Sequence, residues 1–158
     1  IINGNISVKM NDVLKSNIYR FNDSYNTTFI DTGSPHLIRK YENIDKIDVV
    51  KVARELKKKY SEYTQGLNIN FCEISDSEFK LRTYERGVED ETLSCGTGAV
   101  ASAIFLKDLA LVDNSNIDIL MKGGTLKIDF ITKEIIYSEI WLTGSVNMVF
   151  KGVYNNFD

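Results

Sequence analysis

Apolar and polar residues alternate in short runs along most of the chain, and two stretches break that rhythm. The alternating or β-branched runs Ile6–Met10, Ile18–Phe21, Thr27–Asp31 and His36–Arg39 predict strands, parted by polar turns at Asn22-Asp23-Ser24 and Thr32-Gly33-Ser34-Pro35. Then the period changes. Val49, Val52, Ala53, Leu56 and Tyr60 fall on one face at helical spacing. Asp45 or Asp48 can cap that helix, and Lys57, Lys58 and Lys59 predict a solvated C-terminal end. Two strands follow, Leu67–Ile74 and Phe79–Tyr84, as a hairpin across Ser75-Asp76-Ser77-Glu78. An acidic loop, Gly87-Val88-Glu89-Asp90-Glu91, leads to Cys95-Gly96-Thr97-Gly98. The second helix, Ala99 to about Leu109, is apolar on nearly every side, which predicts burial in the middle of the domain. Thr125–Ile131, Ile135–Trp141 and Ser145–Val153 predict closing strands. The expected class is α+β, one domain over residues 1–158 with strands wrapped around a buried central helix.

Composition narrows what such a domain does. The 158 residues are 43% hydrophobic and 26% charged, enough for a core without staples. With 19 basic against 22 acidic side chains and no basic cluster beyond the lysine run, nucleic acid is not an expected partner. No apolar run approaches the ~20 residues that span a bilayer, and none resembles a signal peptide, so no membrane partner is expected. Cys72 and Cys95 form no Cys-x-x-Cys pair and the single histidine is distant in sequence, so no metal site is expected and free thiols in the cytoplasm are. The chain starts at Ile1 without an initiator methionine, which suggests a piece of something longer.

Cys95 is the informative residue. At the start of a buried helix it meets unsatisfied amides and a partial positive charge. That setting lowers a thiol's pKa and also binds a carboxylate or phosphate where glycines allow close approach. The plainer reading is a small buried cysteine beside a tight turn. Cys72, inside an apolar strand, reads as core. Glu85-Arg86 reads either as a surface ion pair or as an arginine fork for a carboxylate with the glutamate facing an ammonium. His36 is either a satisfied loop histidine or, near a thiol, a tuner of its pKa. Together a thiolate, an anion-binding helix end and a Glu/Arg pair suit proton chemistry at the α-carbon of an amino acid.

These residues carry a resemblance. Tyr84-Glu85-Arg86-Gly87 and Glu91 to Ala99, with Cys95 at the centre, closely resemble the second-cysteine motif of diaminopimelate epimerases. Gly33-Ser34-Pro35-His36, Gly66 to Phe71, Gly123-Gly124-Thr125-Leu126 and Trp141-Leu142-Thr143-Gly144 are similar to further segments of that family, in order along the whole chain. The resemblance implies two pseudo-symmetric halves, each with strands around a central helix and a cysteine at that helix's start. Substrate lies between them, and the two thiols face its α-carbon from opposite sides without a cofactor.

Carried over, Cys95 is one acid/base thiol, and Gly96 and Thr97 bind the reacting carboxylate. Glu85 and Arg86 recognise the distal ammonium and carboxylate, assisted by Asn68. His36 and Glu85 modulate the thiols. The partners implied are diaminopimelate, the missing N-terminal half and, from full-length relatives, a second copy in a homodimer. This chain departs from the family pattern at Ser34, which replaces an asparagine, and in a loop one residue longer that carries Glu89 and Asp90. It also has no counterpart of the family's first half, which Cys72 cannot supply from mid-strand. The expectation is therefore the C-terminal half of such an enzyme, inactive alone. The rivals are a proline-type racemase of the same superfamily and a non-catalytic ligand-binding module.

Overall fold

A computed structural model describes residues 4–62, 66–75 and 78–154. In chain order the elements are β1 (Asn5–Lys9), β2 (Val13–Leu14), β3 (Ile18–Arg20), β4 (Thr28–Asp31), β5 (Pro35–Tyr41), α1 (Val49–Lys59), β6 (Asn68–Ile74), β7 (Phe79–Glu85), β8 (Asp90–Thr92), α2 (Gly96–Asp108), β9 (Asn116–Met121), β10 (Gly124–Thr132) and β11 (Ile136–Ser145). Among the described residues the strands form one sheet, ordered β1-β11-β10-β9-β7-β6-β5-β4-β3, with β2 on β11 and β8 on β7. Pairing is antiparallel except where a helix intervenes: β5 with β6 across α1, and β7 with β9 across α2. Both parallel pairs follow from the crossovers that helices impose.

Strand alternation sorts the two cores. Leu37, Ile69, Phe71 and Tyr84 point to the face that α1 covers with Val49, Ala53 and Leu56. Ile38, Cys72 and Leu81, one position out of phase, point to the other face and meet α2. Ile117, Ile119, Ile128, Phe130 and Ile140 complete that layer. The sheet curls so that α2 touches β4 through β7 and β9 through β11. Every residue from Gly98 to Leu106 is buried, as a helix without a polar face requires. The α+β arrangement of strands around a buried central helix is therefore present.

Several local expectations change. Asp48, not Asp45, caps α1, its Oδ1 accepting from the Lys51 amide at 3.0 Å. Lys58 and Lys59 are exposed, but Lys57 is fastened to Glu89, with Nζ 2.6 Å from Oε2. The β6–β7 hairpin forms with Ile74 opposite Phe79, its tip residues Asp76 and Ser77 lying outside the described set. Part of the acidic loop is strand β8. Helix α2 starts three residues earlier than expected, so Cys95 itself is the N-cap residue. The strand expected over 145–153 does not form; instead β11 runs on past Trp141 to Ser145. Beyond it Met148, Val149 and Phe150 are 86%, 87% and 82% exposed, an apolar stretch with no neighbouring strand among the described residues to pair with. No helix among the described residues is long and apolar enough to cross a membrane.

Candidate active site

The inner face of the sheet turns polar at one end, where His36, Asn68, Asn70 and Thr83 are all buried. The register places His36 beside Asn68, Ile38 beside Asn70, and Asn70 beside Thr83. Cys95 lies against this end. Building a Cβ onto Gly98 would place it 2.7 Å from Asn70 Oδ1 and 3.2 Å from Cys95 Sγ. At Gly96 the same atom would come 3.3 Å from Leu142 Cδ2 of β11. The two glycines that bracket Thr97 thus let the head of α2 settle onto the strands, the close approach that glycine permits.

Cys95 is 6% exposed, with Sγ 3.6 Å from the Thr97 hydroxyl. Its backbone is extended, while the Ala99 amide donates to its carbonyl at 2.9 Å, as for an N-cap residue. The sequence led to an expectation of a lowered thiol pKa, and the geometry reverses it. Burial pushes the Cys95 thiol above the ordinary cysteine value, and the Glu85 carboxylate pushes the same way. The Thr97 hydroxyl and the Gly98 and Thr97 amides pull it down without overcoming burial. A helix end stabilises a thiolate only as far as the thiolate's lost hydration allows. Iodoacetamide should accordingly alkylate Cys95 slowly at neutral pH, the rate still climbing above about pH 8.5, where an ordinary thiol is half ionised. A plateau at or below neutrality contradicts this. Cys72 is core as expected, its thiol pushed up to about 12 by burial.

Glu85 and Arg86 close β7. Asn68 holds this corner: Oδ1 accepts from the Arg86 amide at 2.9 Å, and Nδ2 donates to Ser34 Oγ at 2.8 Å and the Pro35 carbonyl at 3.0 Å. Both hydrogens of its carboxamide are taken, so Asn68 ties the Ser34-Pro35 turn to Arg86, and Ser34 finds its partner inside the protein. The Arg86 stem runs beneath Gly66, where a Cβ would lie 3.1 Å from Arg86 Cδ. Behind the corner, the acidic loop is a latch. Glu89, at φ +59°, accepts from Lys57 Nζ, from Tyr84 Oη at 3.2 Å and from the Gly87 amide at 3.2 Å. The Lys57 ammonium, with that amide, holds the Glu89 carboxyl below the usual range. Glu91 grips Arg82 through two bonds of 2.6 and 2.7 Å, a bidentate pair.

His36 is not in a loop but wholly buried on β5. Burial, and next the charge of Arg86, push its pKa down to about 3, while Asn70 works weakly against them. Asn70 bonds His36, and its carboxamide oxygen and Cys95 Sγ both border the space left open at Gly98. The structure therefore gathers Cys95, Gly96, Thr97, His36, Asn68, Glu85 and Arg86 at one end of α2. It adds two residues that sequence reading passed over, Asn70 and Thr83. The available signal was two asparagines, Asn68 and Asn70, in phase on one face of an apolar strand.

The curled sheet around a buried helix has a counterpart among solved structures. The hydroxyproline epimerase of Agrobacterium vitis superposes with a TM-score of 0.61 over 90% of this chain and 50% of its own, at 11% identity, a likeness of fold alone. The family model for diaminopimelate epimerase matches residues 28–149, and the chain belongs to that family. The diaminopimelate epimerase of Flavobacterium psychrophilum is 42% identical over 149 residues, 92% of this chain and 56% of that protein. That of Aquifex aeolicus is 42% identical over 126 residues, 78% and 44%. That of Thermotoga maritima is 35% identical over 146 residues, 92% and 56%. The chain spans about half the length of the curated relatives it matches.

Proposed function

We propose that this chain is the C-terminal half of a cofactor-independent diaminopimelate epimerase and carries one of its two acid/base thiols. The observation that supports this most is Cys95 at the N-cap of α2, beside Gly96 and Thr97 and under the influence of Glu85.

Inversion of a stereocentre by proton transfer needs a base on one face of the α-carbon and an acid on the other. In one direction a thiolate opposite takes the α-proton and becomes a thiol, while Cys95 Sγ–H delivers a proton and becomes a thiolate. The reverse direction exchanges the roles. A thiol held above its ordinary pKa rests protonated, which suits the donor, and its desolvated thiolate is a stronger base. The carbanion's charge spreads onto the α-carboxylate, and the amides at the head of α2 are preorganised to receive it. Glu85 and Arg86 meet the distal ammonium and carboxylate of the substrate. Proline-type substrates lack that charged end, so they match this pair poorly.

The second thiol belongs to an N-terminal half like the one that completes the relatives' greater length. The exposed apolar stretch around Met148–Phe150 is the kind of surface such a half covers. The reading places the enzyme in the cytoplasm, in lysine biosynthesis, and as a homodimer. Its test is L,L-to-meso turnover. The chain alone should show none above background, and adding the N-terminal half should restore it. Appreciable turnover by the 158 residues alone contradicts the two-half mechanism.

A further inference from the structure

Asn70 and Thr83 have no part in the chemistry above, yet both are fully buried, face each other across β6 and β7, and lie at the site. A buried carboxamide and hydroxyl are costly unless partnered, and here the partners fix an orientation. The Leu37 carbonyl, which only accepts, lies 3.4 Å from Asn70 Nδ2. The Thr83 hydroxyl donates to Asn70 Oδ1 at 3.0 Å. These contacts settle which end of the carboxamide is which. The NH2 group faces β5, and the oxygen faces β7 and the gap left by Gly98's absent Cβ.

That NH2 group also meets His36 Nδ1 at 3.0 Å. An amide nitrogen can only donate, so Nδ1 accepts and carries no proton. The proton of the neutral ring is then on Nε2, which is buried and has no partner among the described residues. At this end of the sheet stand Glu85, which ends β7, Arg86 just past it and Cys95 at the head of α2; the surrounding strands also carry Asp31 on β4, Arg39, Lys40 and Tyr41 on β5, Cys72 and Glu73 on β6, and Lys80 and Arg82 on β7. Arg86 acts on the imidazole directly and disfavours a second cation beside it.

We propose that Asn70, backed by Thr83, is a positioning residue that locks His36 in its Nε2–H tautomer, so that His36 presents a fixed hydrogen-bond donor to a carboxylate oxygen of the amino-acid substrate. His36 is then a donor and not a carrier of protons. The substrate half of this assignment rests on the epimerase reading, and the tautomer half does not.

His36 is the chain's only histidine, so long-range proton–nitrogen correlation spectra of the nitrogen-15-labelled chain report its ring alone. The expected ring has a protonated Nε2 and a bare Nδ1, unchanged as the pH falls through the ordinary histidine range near 6.5. Asn70→Asp replaces the donor with a carboxylate, so the proton should move to Nδ1 and the ring should titrate at higher pH. Thr83→Val removes only the hydroxyl that anchors the carboxamide and should give a mixture of tautomers. A parent ring protonated on Nδ1, or one that titrates normally, overturns the assignment, and neither requires a variant to fold.

In the enzyme completed by its other half, Asn70→Asp should lower kcat/KM for diaminopimelate about tenfold or more, as for loss of a hydrogen bond to a charged group. Turnover unaffected by Asn70→Asp overturns the positioning role. If the tautomer is as stated but the completed parent enzyme does not act on diaminopimelate, the substrate reading fails and the tautomer assignment stands.

Discussion

Cys95→Ala, assayed in this chain together with its completing half, is expected to lower kcat by about 10²- to 10⁴-fold, the range contributed by a positioned acid or base. Alanine keeps the backbone of the N-cap and removes only Sγ, which lies 3.6 Å from the Thr97 hydroxyl and near the Gly98 and Thr97 amides. Stability should therefore change little beside the catalytic loss, and substrate affinity should survive, because the proposal assigns the carboxylate and ammonium contacts to the α2 amides, Glu85 and Arg86. Cys95→Ser should be nearly as damaging. A hydroxyl buried where even a thiol is pushed up is a far weaker acid, and burial opposes its ionisation in the same way. A steady-state rate within about tenfold of the parent enzyme would remove Cys95 from the chemistry.

The second large effect is on the fold that aims this thiol. Phe105→Ala should cost about 3–5 kcal/mol, measured as a fall in ΔG by denaturant unfolding with little change in slope. Phe105 is fully buried in the inner core, in the last third of a helix touched by strands on almost every side. No direction is open for the neighbours to collapse from cheaply, so both the transfer loss and the cavity count. Against a typical stability of about 5–15 kcal/mol, such a loss is severe. A change below about 1 kcal/mol contradicts the central place given to α2.

Much of this was legible in the sequence because the buried helix has no polar side. Ala99 to Leu106 cannot sit at a surface, which requires other elements around it, and the alternating runs on either side supply strands. The mirror-image alternation of β5 and β6, odd positions to α1 and even positions to α2, likewise follows from period two. Strand β9 was legible in principle, since Asn116 and Asp118 alternate with the buried Ile117, Ile119 and Met121 at period two, but the run is short and sits beside the Gly123-Gly124 turn. The apolar letters over 146–153 misled in the opposite sense, since alternation signals a strand only where a partner edge exists.

The site was legible in part for similar reasons. Cys95, Gly96 and Thr97 are adjacent in sequence, and Glu85-Arg86 stands ten residues away, so a linear motif carries them. The direction of the thiol's shift was not legible. It depends on how far burial outweighs the helix amides and the Thr97 hydroxyl, a contest between through-space quantities. The bond between Asn70 and His36 spans 34 positions. It appears only when parallel pairing of β5 with β6 places both residues on one face.

The most direct measurement is exchange of the α-hydrogen of diaminopimelate in heavy water, followed by proton NMR and chiral analysis, for this chain completed by its N-terminal half. Expected is deuterium at the α-carbon together with inversion, both lost in Cys95→Ser. Exchange that persists undiminished in Cys95→Ser, or inversion without any solvent hydrogen entering, contradicts a thiol at the head of α2 as one of the two proton-transferring groups.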